Sequence, residues 1–412
     1  MNNSELKKLI NKQKKGHTLD QRFYTDDEIF KLDLNNFFFK QWVFIGHISR
    51  IPNPGDYFLF NIGNESIIII KDFDSKIHAH YNVCRHRGSH ICLEEEGNKR
   101  LLTCPYHAWS YNLDGSIKST RLMPENFNPN EWSLNSCNIK VFEGLIFINL
   151  SDNCPNFDEF INPTRKFIEF HGLSDAKIAH RKVYPTDGNW KLTLDNFHEC
   201  YHCQPAHPEY CNVHDKDYVM AYGAGSGTGP ASDNFIKKLN DWNKKAKNLG
   251  HLTGEFSESE FNNFSRSAER TPLKEGKFNE TKNGKPIAKL MGKFKEYDSG
   301  YTSVGTSPFN SLLMCNDFAT LFTFIPKSTL KTEVELMWLV HKDAEEGKDY
   351  DVDEMIWMWD VTTLADKIII ENNQKGVLSN KYKPGPLSLM EIGGVDKFQH
   401  WYLKHFKNSL NI

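Results

Sequence analysis

No apolar run in this chain is long enough to cross a bilayer; Ile67–Ile70 reads as a buried strand. There is no basic excess either. Lys+Arg 50 against Asp+Glu 53 leaves a net charge of −3, which argues against a general nucleic-acid binder. The stretch Met1–Asp20 is polar and lysine-rich and lacks the apolar core of a secretory signal. The nine cysteines are odd in number and follow no regular spacing, so a disulfide framework is not expected. Free thiols of this kind point to a reducing compartment, and the expected location is cytoplasmic, with no membrane attachment. No internal repeat is evident. With 39% hydrophobic and 25% charged residues, the remaining class is an ordinary soluble globular chain, long enough for two or three domains.

What the sequence does contain is two half-motifs, Cys84-Arg85-His86 and Cys104-Pro105-Tyr106-His107. Each offers one thiolate and one imidazole, in the order Cys, His, Cys, His. A structural zinc finger groups its ligands as Cys-Cys then His-His, one pair per knuckle. The interleaved order suits a two-iron cluster, with two cysteines on one iron and two histidines on the other, each loop giving one of each. That is the Rieske [2Fe–2S] arrangement. A zinc site of unusual ligand order is the alternative.

Around these motifs the chain changes character. Residues 1–40 are charged and read as helical, with Thr25-Asp26-Asp27-Glu28 opening a helix. Short β runs follow at Trp42–Ile45, Tyr57–Ile62, Ser66–Lys71, Ile77–Asn82 and Leu145–Leu150, a small antiparallel β domain over 40–155. Residues 1–39 and 156–412 are assigned to a larger catalytic domain: a helix at 157–171, an extended segment at 177–186, strands at 318–325 and 333–341, and a long helix at 353–375 stopped by Gly376. The fold class is α+β, with a curved antiparallel sheet flanked by helices. The polar stretch 223–300 reads either as disordered or as helices and loops over a site.

A second ligand-rich stretch runs from Asn189 to Glu209. On a helix, Glu199 and His202 would share a face, and Pro205 would end or kink that helix and turn His207 back. Two histidines and one carboxylate form the facial triad of non-haem Fe(II) oxygenases. Glu199, His202 and His207 suffice chemically, so local sequence does not choose the carboxylate. Asp366 reads by composition as a solvated charge on the late helix.

Taken together these motifs resemble the α (oxygenase) subunit of Rieske non-haem iron oxygenases, over about residues 40–400. The resemblance implies that Cys84, His86, Cys104 and His107 hold the cluster and that His202, His207 and Asp366 bind mononuclear iron. Glu199 becomes a bridge from His202 to a cluster histidine of a neighbouring subunit, where many ring-hydroxylating members have Asp, and Asn196 lies close to the iron. It also implies dioxygen as co-substrate, a separate reductase drawing on NAD(P)H, and a homotrimer. Glu199-Cys200-Tyr201-His202-Cys203, Trp338–Ala344, Glu371–Gly376 and Tyr382–Pro386 are similar to the branch that demethylates quaternary amines such as betaines. Phe309, Phe318, Phe322 and Phe324 are conceivable walls of a cation–π cage, or plain core. An aromatic ring-hydroxylating dioxygenase and a Rieske electron carrier are the rival readings.

Overall fold

Strict alternation and β-branched runs between Val43 and Asn149 fold as short antiparallel strands in the computed structural model, which describes residues 3–221, 230–258 and 264–409. The chain divides into two compact units: Phe39–Pro155, and Met1–Phe38 together with Asn156–Ile412. In the smaller unit, strands Asp56–Ile62, Glu65–Lys71 and Ile77–Tyr81 pair in sequence, and Glu96–Asn98 adds an edge. A second sheet joins Val43–His47, Leu145–Asn149 and Asn138–Phe142, and a third joins Leu102–Thr103, Ser110–Tyr111 and Ile117–Ser119. Ile67, Ile68, Ile69 and Ile70 are all fully buried, as a strand covered on both faces requires.

The larger unit is built on a seven-stranded antiparallel sheet, in the order Ala176–Thr186, Lys331–His341, Phe318–Ser328, Asn310–Met314, Gly300–Gly305, Ser267–Pro272, Gly254–Ser257. Helix Phe157–His171 lies where the sequence placed it, N-capped by Asn156. Asp26 caps helix Asp27–Asp33 by accepting the N–H groups of Glu28 and Ile29, the start expected from its residue type. The late helix is longer than its sequence signals, running from Val352 to Val377 and passing through Gly376 without stopping. Its end is tied down from outside: Gln374 Oε1 accepts the Asn189 N–H at 2.8 Å, and the Val377 carbonyl accepts from Gln21 Nε2 at 2.5 Å. Those bonds offset the roughly 1 kcal/mol that a mid-helix glycine costs.

Within 223–300, the described residues form helix Pro230–Asn248, strands Gly254–Ser257 and Ser267–Pro272 at the sheet edge, and irregular backbone beyond Pro272. Residues 223–229 and 259–263 lie outside the described set.

Candidate metal centres and substrate cavity

The two Cys/His loops are built alike. The Cys84 carbonyl accepts the Gly88 N–H at 3.0 Å and its own N–H donates to Ser89 at 2.8 Å; the Cys104 carbonyl accepts from Ala108 at 3.1 Å and its N–H donates to Trp109 at 2.8 Å. The fourth residue after each cysteine has positive φ, 78° at Gly88 and 60° at Ala108, and this bends the loop back over its ligand. Both thiols are buried. Tyr111 Oη lies 3.3 Å from Cys84 Sγ and accepts the Arg85 N–H at 3.1 Å. The His86 and His107 rings stand 4.6 Å apart, with His86 stacked on Trp109 and His107 on Tyr106. His107 Nδ1 is buried with no hydrogen-bond partner. Such an orphan costs about 1–3 kcal/mol, and a cluster iron would satisfy it. Two buried thiols beside two paired imidazoles fit a [2Fe–2S] group.

In the larger unit, helix Trp190–Phe197 carries Asn196 and ends before Glu199. Glu199 and His202 therefore share a turn and not a helix face, a correction to the sequence reading. Glu199 Oε1 accepts from His202 Nδ1, while Oε2 accepts the backbone N–H groups of Tyr201 and His202. Pro205 does not end the segment; it sits inside the one-turn helix Cys203–Ala206. The break belongs to Pro208, which forces the preceding His207 to φ −127°, ψ 70° and then occupies the first turn of helix Pro208–Val213.

His207 is thereby turned back towards His202. Their Nε2 atoms lie 2.9 Å and 3.2 Å from the same oxygen, Asp366 Oδ1, which the helix Val352–Val377 brings in from far along the chain. Among the described residues, this is the group of three ligand side chains whose donor atoms all lie within 4.8 Å of one another. Asp366 is thus no solvated surface charge. Asn196 Nδ2 lies 3.4 Å from His202 Nε2. Behind His207 stands Glu209, missed by sequence reasoning: its Oε1 lies 3.3 Å from Nδ1 without hydrogen-bond alignment and accepts from Thr362 at 2.9 Å. His202 so has a carboxylate hydrogen-bonded at the ring nitrogen facing away from Asp366, the usual support of a metal-bound imidazole.

Burial works against a charged His202, but hydrogen bonds to Asp366 and Glu199 push it up to about 10. Burial likewise raises Asp366, and the hydrogen bonds from His202 and His207 outweigh it and hold the carboxyl below its ordinary value. The donor set is that of non-haem Fe(II).

The three side chains open on a cavity of about 610 Å³, its mouth included. Its aromatic wall is Phe197, Tyr210, Tyr218, Tyr301 and Trp359; the four phenylalanines that the sequence left as conceivable walls or plain core are not among them. Phe309 packs on Phe38 at 4.0 Å, Phe318 is buried in the sheet, and Phe322 and Phe324 border a smaller adjoining space. Glu280, fully buried, also lines the cavity; it accepts from His214 Nε2 at 2.9 Å and from Trp359 Nε1 at 3.1 Å. Among the described residues, no lysine or arginine lines it.

Comparison with known families decides the identity. The Rieske [2Fe-2S] domain matches residues 41–142, and the ring hydroxylating alpha subunit (catalytic domain) matches residues 173–408. The chain belongs to the Rieske oxygenase α subunits. This Rieske oxygenase is 33% identical over 405 residues to the glycine betaine monooxygenase oxygenase subunit of Pseudomonas aeruginosa (strain UCBPP-PA14), spanning 98% of this chain and 92% of the relative. It is 36% identical over 197 residues to the carnitine monooxygenase oxygenase subunit of Escherichia coli (strain K12), spanning 47% and 53% of the two chains. In fold it is similar to a quaternary ammonium Rieske monooxygenase, with a TM-score of 0.72 at 23% identity over 96% of this chain and 97% of the other. Naphthalene 1,2-dioxygenase superposes with a TM-score of 0.66 at 18% identity, over 96% and 95%. The Rieske oxygenase has a [2Fe–2S] domain and a catalytic domain of the kind that binds mononuclear iron. No helix among the described residues is long and apolar enough to cross a membrane.

Proposed function

We propose that this chain is the oxygenase component of a cytoplasmic monooxygenase system that removes an N-methyl group from a small quaternary amine or betaine. The observation that carries this reading is the cavity wall: five aromatic side chains and the buried Glu280 carboxylate, with no lysine or arginine among the described residues. Aromatic faces and a buried carboxylate attract a quaternary ammonium group, and the carboxylate has no such attraction for a neutral hydrocarbon ring. The full-length similarity to a glycine betaine monooxygenase subunit supports the same substrate class.

His202, His207 and Asp366 would hold the iron, and Cys84, His86, Cys104 and His107 the cluster. When bound, these groups supply dioxygen activation and single-electron transfer. A separate reductase would draw the electrons from NAD(P)H. Oxygen insertion into an N-methyl C–H bond gives an N-hydroxymethyl product, which loses formaldehyde and leaves the demethylated amine. The protein's own part is to seat the cation, exclude competing orientations and hold the His202 ring in one tautomer through Glu199.

Glu199 also supports a route between subunits of a homotrimer. Its Oε2 is filled by two backbone donors, so the acceptor left for a neighbouring subunit's cluster histidine is the second lone pair of Oε1.

The test compares a quaternary amine with its neutral tert-butyl isostere, in which carbon replaces the charged nitrogen. Tighter binding of the cation, weakened about tenfold by Glu280→Gln while the isostere is unaffected, is the expected result. Equal binding of the two, unchanged by the substitution, would return the aromatic ring-hydroxylating reading to first place.

A further inference from the structure

Two thiols share the cavity with the metal-binding side chains. Cys200 and Cys203 both line it, both are buried, and they flank His202 in one turn closed by the Cys203 N–H to the Cys200 carbonyl at 3.2 Å. Cys203 Sγ is directed at the Glu199 carbonyl, 4.0 Å away. Residues three apart in number across such a turn lie within about 7 Å at Cα, the upper end of the span a disulfide bridges. The third cysteine nearby, Cys211, points its Sγ at the Cys203 carbonyl at 3.7 Å and does not line the cavity.

We propose that Cys200 and Cys203 are a peroxide-responsive dithiol that disables the site when oxygen is reduced there without substrate. The inference rests on the oxygenase reading, because that activity supplies both electrons and dioxygen. Without an N-methyl group to attack, two electrons and two protons delivered to dioxygen yield hydrogen peroxide. One peroxide then oxidises the two thiols: the O–O bond and both S–H bonds break, one S–S bond forms, and two waters leave. The two sulfurs lose the two electrons that the peroxide gains. A bond drawn across Cys200–Cys203 tightens the turn that carries His202 and the Glu199 hydrogen bonds, and this moves the ring away from Asp366. A thiol reductant would restore it.

The test has two arms, both read by mass spectrometry of the peptide containing residues 200–203. In the first, the purified protein meets hydrogen peroxide with neither reductase nor amine present. In the second, a Rieske-type reductase and NAD(P)H run in air without substrate, with and without catalase. The expected result is a peptide lighter by two hydrogens in both arms, reversed by dithiothreitol, prevented by catalase in the second arm, and absent in Cys203→Ser. Absence from both arms, a disulfide to Cys211, or sulfinic acid on a single cysteine overturns the dithiol. Formation in the first arm alone overturns turnover as the oxidant source, whereas failure of the oxygenase reading itself would register separately as no formaldehyde from any amine.

Discussion

Replacing Glu199 by Gln removes one charge but disturbs three hydrogen bonds, and no orientation of the amide repairs them all. If the glutamine oxygen faces His202 Nδ1, its NH₂ meets the two backbone N–H donors of Tyr201 and His202 that Oε2 now accepts. Hydrogen bonds to a charged acceptor contribute roughly 1.5–3 kcal/mol each, and water replaces part of that because Tyr201 is exposed. If the amide flips, it donates to Nδ1 and moves the His202 proton to Nε2, the nitrogen that faces Asp366. Either outcome weakens metal binding, by about 10–100-fold for loss of such a partner, or roughly 1.4–2.7 kcal/mol. The assay is retention of mononuclear iron against a graded chelator, with the cluster's visible absorption as internal control. The cluster should persist, since its four side chains belong to the other unit. Wild-type resistance to chelator in Glu199→Gln would refute the idea that this carboxylate fixes the His202 tautomer.

Asp366→Ala should lose the mononuclear iron and keep the cluster, seen as a fall from about three irons per chain to two; an unchanged iron content with full activity would give the ligand role back to Glu199. Cys84→Ser or Cys104→Ser should each abolish the cluster's visible absorption, since each removes a thiolate ligand; zinc in place of iron, with no rhombic electron-spin signal after reduction, would contradict the cluster assignment. Asp195 offers a pH test. Burial raises its carboxyl from 3.8 to about 7, against hydrogen bonds from Gln399 and Tyr24 that lower it. Between those two values the folded chain holds a proton that the unfolded chain has released, so this group's contribution to stability falls as pH rises and levels off above about 7. Asp195→Asn does not titrate. The variant should therefore gain on the wild type by up to about 3 kcal/mol between pH 5 and pH 8 in denaturant unfolding, and a constant gap across that range would contradict the buried, protonated acid.

Much of this was legible because it is local. The Cys/His spacing, the capped start at Asp26 and the alternating strands are set by neighbours a few residues apart. The choice of carboxylate was not, because Asp366 lies 159 positions from His207 and nothing around it distinguishes an inward-facing acid from a solvated one. The break between His202 and His207 was assigned to the wrong proline: Pro205 is tolerated in a first turn, while Pro208 acts on the residue before it. Gly376 looked like a stop, but side-chain bonds from distant segments hold the helix beyond it. The cavity wall was the least readable part. Phe197, Tyr210, Tyr218, Tyr301 and Trp359 come from five separate elements, and Glu280 comes from a stretch that read equally as disorder or as helices and loops over a site. Only the tertiary fold assembles them.

The most direct test of the account combines the purified chain with a Rieske-type reductase, NAD(P)H and dioxygen, and offers small quaternary amines and aromatic hydrocarbons in parallel. Formaldehyde and demethylated amine should appear in equal amounts from at least one quaternary amine, in step with NAD(P)H oxidised. A cis-diol from an aromatic substrate, with no formaldehyde from any amine, would contradict it.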